Sequence, residues 1–135
     1  MWALHVVDAA IGFASIVYGS LLCTQFEKPA MTAATFWLIF GSIHFSASVL
    51  GIFSLVSNRW SRWGLVVSAF AGPYMAFNYL VIVIAMAVDS SGFFSYVEDH
   101  KDVMYLGENA VDNLTRYMPL VYAIFGVLVV AEASR

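Results

Sequence analysis

Cysteine is nearly missing from this chain, since Cys23 is the only one among 135 residues. A single thiol cannot form an intrachain disulfide, a cysteine-rich zinc site or a paired-thiol redox motif. Cys23 is left as a small apolar filler or, because it sits where a helix ends, as a point for lipidation. Charge is scarce as well: charged residues are 11% of the chain, with six Lys and Arg scattered against nine Asp and Glu, for a net −3. Neutralising nucleic-acid phosphates takes clustered cations, so a nucleic-acid partner is excluded. There is no Gly-rich phosphate loop, nucleophile elbow or metalloprotease motif to point to an enzyme. The stretch from Met1 to Leu22 lacks the basic opening of a signal peptide and reads as a retained helix.

What the chain has in excess is apolar surface. Hydrophobic residues make up 61% of it, and the mean hydropathy is +0.81, outside the range of soluble domains. Four segments reach or approach the roughly 20 residues a helix needs to cross a bilayer: about 2–22, 33–56, 63–88 and 117–133. The expected fold is a single all-α membrane domain over 1–135, a four-helix bundle with an extramembrane loop at 89–116. Pro29 marks the first connection, and Asn58-Arg59-Trp60-Ser61-Arg62-Trp63 forms a second one so short that the flanking helices must be antiparallel neighbours. Pro73 should bend the third helix.

Within 33–56 one helical stripe collects Trp37, Gly41, His44, Ser48, Gly51 and Leu55, placing a histidine among residues small enough for close helix contact. A matching stripe on the third segment holds Gly64, Ser68, Ala71, Met75, Asn78, Ile82 and Ala85. Its opposite face, Phe70, Pro73, Phe77, Leu80 and Ile84, is bulky and apolar. Similar small-residue spacings recur in Ser15-xxx-Gly19, Ala47-xxx-Gly51 and Ser68-xxx-Gly72-xxx-Ala76. A hairpin centred near residue 61 puts His44 and Asn78 at one depth, near mid-membrane, where a hydrogen bond between them would fix the helix register. The alternative is that His44 is the axial ligand of a tetrapyrrole metal, with Gly41 and Ser48 leaving room for the macrocycle. Neither His5 nor His100 can reach it to complete a bis-histidine haem. His5 and Asp8 lie one turn apart near the terminal side, as does Glu132; they read as locally paired with the termini, Arg59, Arg62 or water.

Threaded up and down, the terminal side with Arg59 and Arg62 carries a net +1, against −4 on the side of the large loop. Two arginines in one tight turn place the termini on the cytoplasmic, matrix or stromal side, with Trp60 and Trp63 as interfacial anchors. In the loop, Val97, Met104, Val111 and Leu114 share a helical face amid Glu98, Asp99, Asp102, Glu108 and Asp112. This suggests a short amphipathic helix or two, broken near Gly107. It serves as an acidic cap on the membrane or as a docking site for a basic partner. Asn113-Leu114-Thr115 matches a glycosylation sequon beside the last helix.

Four helices, a short first loop, a very short basic second loop and a larger loop between helices three and four resemble the tetraspanin layout. The resemblance implies the bundle; the Cys-Cys-Gly motif of that family is absent, and 28 residues are few for its ectodomain. The expected function is a non-enzymatic accessory or scaffolding subunit of a larger membrane complex, in contact with other membrane subunits and lipids. Two further classes stand beside it. One is a pigment-binding accessory subunit of a photosynthetic complex, with His44 as a chlorophyll ligand and carotenoid or lipid on its apolar face; the other is a small transporter or channel component. The membrane would be a thylakoid, mitochondrial or plasma membrane.

Overall fold

The computed structural model describes residues 2–56 and 61–134, without the side chains of Ser61, Leu65 and Ser68. The expected roles of Asn58, Arg59, Trp60 and Arg135 therefore lie outside the described residues. The chain is all-α: α1 (Trp2–Leu22), α2 (Lys28–Val56), α3 (Ser61–Val88), α4 (Ser90–His100) and α5 (Ala110–Ala133). All but α4 are long and apolar enough to cross a membrane, as four hydropathic runs dictate.

The expected ends need correcting. α2 begins at Lys28 rather than 33, and Pro29 is its second residue. The first turn of a helix has no intrahelical use for a proline N–H, so Pro29 starts the helix instead of preceding it. α3 begins at Ser61 rather than 63 and continues through Pro73, whose ring is exposed. α5 begins at Ala110, seven residues before the expected 117, with Asp112 in its first turn, where a carboxylate suits the helix N-terminus. The sequon Asn113-Leu114-Thr115 is thus helical and not in a loop, and the loop of 89–116 shrinks to α4 plus residues 101–109.

Successive spanning helices are antiparallel. α1 packs along α2, α2 along α3 and α3 along α5, while among the described residues α1 and α5 form no packed pair. The α1–α2 contact is the most intimate and is made by glycines. A Cβ on Gly41 would lie 2.6 Å from the Gly12 carbonyl oxygen, and one on Gly19 would lie 3.1 Å from that of Ala34. Only hydrogen in place of a side chain lets the two backbones approach this closely. The stripe Asp8, Gly12, Ser15 and Gly19 is buried, and so are Gly41, His44, Ser48 and Gly51 opposite. On α3, Phe70, Pro73, Phe77, Leu80 and Ile84 all face outward as expected.

α3 runs into α4 through Asp89, whose side chain accepts the Gly92 N–H at 3.0 Å and caps the new helix. α4 is one amphipathic piece of the expected loop, burying Val97 while Glu98 and Asp99 stay exposed; it ends at His100, so Met104 lies in the turn beyond it and Val111 and Leu114 belong to α5. Residues after it fold back over the α1–α2 end. Val103 and Met104 pack against the cluster of Leu22, Ala30 and Ala34. The Tyr18 hydroxyl donates to the Met104 carbonyl at 2.8 Å, and Tyr105 meets Thr24 and Gln25 at 2.7 Å each. Tyr105 has φ of 56°, a left-handed conformation that turns the chain there.

Candidate functional site

The interior of the bundle holds polar side chains from every spanning helix, from mid-span to its terminal end. His5, Asp8 and Ser15 of α1, His44 and Ser48 of α2 and Glu132 of α5 are all buried, and α3 adds the fully buried Tyr79 with its hydroxyl. Ionisable groups inside a membrane bundle are expensive, so each should be held by a partner or serve a purpose. The Tyr79 hydroxyl donates to Asp8 Oδ1 at 3.0 Å, a bond from α3 to α1. On its way the Tyr79 ring passes His44, with centroids 5.5 Å apart. It also packs with Phe40, Met75 and Leu128 into the core cluster that closes α2, α3 and α5. The His5 ring lies against Gly51, where any side chain would collide with it.

His44 is completely enclosed. Its Nδ1 is 3.0 Å from the Phe40 carbonyl oxygen one turn back; since a carbonyl can only accept, Nδ1 carries the proton and Nε2 the lone pair. Nε2 has no hydrogen-bond partner among the described residues, and neither has the hydroxyl of Ser48 one turn on. The expected clasp with Asn78 is not made: Asn78 Nδ2 donates instead to the Tyr74 carbonyl at 2.7 Å, and the residue is only half-buried. The cause is register and rotation. Gly64 sits against Ser54, which shifts the hairpin by about one helical turn from the expected centre and sets Tyr74 level with His44, ring centroids 6.3 Å apart. The buried face of α3 runs through Gly72, Met75, Ala76 and Tyr79, leaving Asn78 at its margin.

This enclosure bears on a tetrapyrrole at His44. Phe40 lies over the imidazole at 3.9 Å between centroids, with Tyr74 and Tyr79 on other sides. A macrocycle metal would have to displace these rings to reach Nε2, so the residues present do not fit that group. Among the described residues no three His, Cys, Asp or Glu side chains come together to hold a metal ion.

Tyr79 is the site residue that the sequence did not disclose. It is one aromatic among many, and its only signal is a position one turn beyond Met75 on the face of Gly72 and Ala76.

The bundle also contains an apolar cavity of about 420 Å³, on the α4 side of His44. Ile11 of α1, Trp37 and Phe40 of α2, Ile82 and Met86 of α3, Phe93 of α4 and Phe125 of α5 contribute its walls. A second pocket of about 650 Å³ runs between α3 and α4 and shares Ala85 and Phe93 with the first.

Outside the bundle, Lys101 Nζ donates to Glu98 Oε1 at 2.6 Å. That hydrogen bond holds the ammonium pKa above the usual lysine value, so the pair is present at neutral pH and is lost as the pH rises through that raised pKa. Cys23 is exposed and free. No protein-family model, curated protein or solved structure matches the chain.

Proposed function

We propose that this chain is a non-enzymatic accessory subunit of a larger membrane complex, held laterally against another subunit through α5. The observation that carries this is the asymmetry of burial. In its most apolar 18-residue window α5 is only 11% buried, against 28% for α1 and α2 and 22% for α3. Its outer stripe of Tyr117, Leu120, Ile124, Val127 and Val130 is exposed throughout, Val127 at 67% and Val130 at 66%. Gly126, where an added Cβ would meet nothing within 4 Å, opens a notch in that surface that a neighbouring helix backbone can enter. Glu98, Asp99 and Asp102 give the same subunit an acidic patch for a basic segment of the partner, and the layout remains tetraspanin-like.

A photo-reactive residue at Val127, illuminated in native membranes, tests the reading. Crosslinking to one defined polypeptide, reduced in Gly126→Leu, is the expected result; crosslinking to lipid alone would overturn it. Exchanging Glu98, Asp99 and Asp102 for their amides should lower retention of that polypeptide, and added salt should lower it in the unsubstituted protein.

A second reading, proton handling in a small transporter, is favoured by the contact of Asp8 with Tyr79 beside His44. Acidification of liposomes carrying the purified protein, abolished in Asp8→Asn, would promote it; absence of flux would leave the scaffold.

A further inference from the structure

Ala85 and Phe93 line both pockets, the inner one among all five helices and the outer one reaching Asp89 and Tyr96 at the α3–α4 junction. The inner walls offer hydrocarbon and aromatic rings and, among the described residues, the Trp37 indole N–H as their one side-chain donor, too little to hold a polar head group. At about 420 Å³ the cavity is nearly three times the roughly 150 Å³ that admits benzene, and within the ~300–1,000 Å³ of small-molecule sites. The outer end carries the Asp89 carboxylate, in the acidic part of the molecule. A ligand matched to both ends is an amphiphile with a long chain and a head without net negative charge.

We propose that the two pockets join past Ala85 into one path that binds one membrane lipid, its acyl chain in the cavity and its neutral or zwitterionic head beside Asp89. α1 and α5, left unpacked against each other, allow the walls to part when the chain enters. Ala85, with the smallest side chain at the junction, sets the width of the passage.

Trp37 lies in the cavity wall and serves as the reporter once Trp2, Trp60 and Trp63 are replaced by Phe. The purified full-length protein in detergent is titrated with phosphatidylcholine brominated on its acyl chain, which quenches tryptophan on contact. Quenching should saturate at one lipid per chain, be lost in Ala85→Phe, and be reduced in part in Ala85→Leu, which serves if the larger residue impairs folding. Phosphatidylglycerol with the same chains should bind roughly five-fold more weakly, the size of one screened charge contact. Asp89→Asn, which still caps α4, should remove that difference. Quenching that rises without saturation, or saturates equally in Ala85→Phe, would overturn the site, and equal binding of the two lipids would overturn the placement of the head. A polyene or quinone absorbance that co-purifies and disappears in Ala85→Phe would overturn the acyl chain as occupant.

Discussion

Tyr79 donates to Asp8 over 3.0 Å and thereby ties α3 to α1, two helices that do not pack along one another. The Tyr79 side chain reaches Asp8 along the inner face of α2, past His44. Tyr79→Phe keeps the ring and removes the donor, so a buried carboxyl loses a hydrogen bond, at a cost of about 1–3 kcal/mol. Thermal unfolding in detergent should show the loss. In a cycle with Asp8→Ala the two changes should couple by about 0.5 kcal/mol or more; strict additivity would dissociate the pair.

Two glycines in the same kind of helix should respond oppositely to alanine. At Gly12 a Cβ would lie 2.5 Å from the backbone nitrogen of Phe45 and 2.9 Å from the Gly41 carbonyl oxygen. Gly12→Ala must therefore push α1 off α2, with a destabilisation of about 1–3 kcal/mol. Gly126→Ala meets open space and should stabilise the isolated protein by roughly 0.5–1 kcal/mol. Unfolding midpoints of the two variants, compared in one detergent, check both signs.

His44→Ala and Asn78→Ala should each cost little more than ~1 kcal/mol, the usual size of a polar contact between membrane helices. Their effects should add within about 0.5 kcal/mol, because each side chain bonds a different carbonyl. A non-additive double variant would restore the direct contact between them.

The ends of the helices put the exposed Cys23 on the same side as α4. In sealed vesicles a membrane-impermeant maleimide should therefore label Cys23 and, in a Cys23→Ser background, Glu98→Cys from one side. Ser134→Cys should label only from the other. Labelling of Cys23 and Ser134→Cys from the same side would contradict four crossings.

Tyr18 and Tyr105 hold residues 101–109 down on the end of α1. Tyr18→Phe with Tyr105→Phe should free that segment, seen as faster limited proteolysis between Lys101 and Glu108 with α-helical content unchanged.

Features that follow from side-chain type were readable in the sequence. Hydropathy located four spans, and the small residues at Ser15, Gly19, Gly41 and Gly51 marked the faces that touch. Features that depend on fractions of a turn were not. A helix face is defined to within about 100° per residue, and that interval separates Asn78, at the margin, from Tyr79, in the core. Pro29 and the stretch Ala110–Arg116 misled for another reason. Proline is a breaker inside a helix but a starter at its first turn, and hydropathy is blind to a polar helix end that projects beyond the lipid.

The glycine-lined fit of α1 on α2 has a consequence for biogenesis. These helices are joined by only the few residues between Leu22 and Lys28, so their contacts are local in the chain and available as soon as Val56 is made. Early contacts of this kind form fastest. Insertion should proceed by a first hairpin entering as a unit, with the later helices added to a template already in place. An engineered arrest shortly after residue 56 that yielded a single inserted helix would speak against this order.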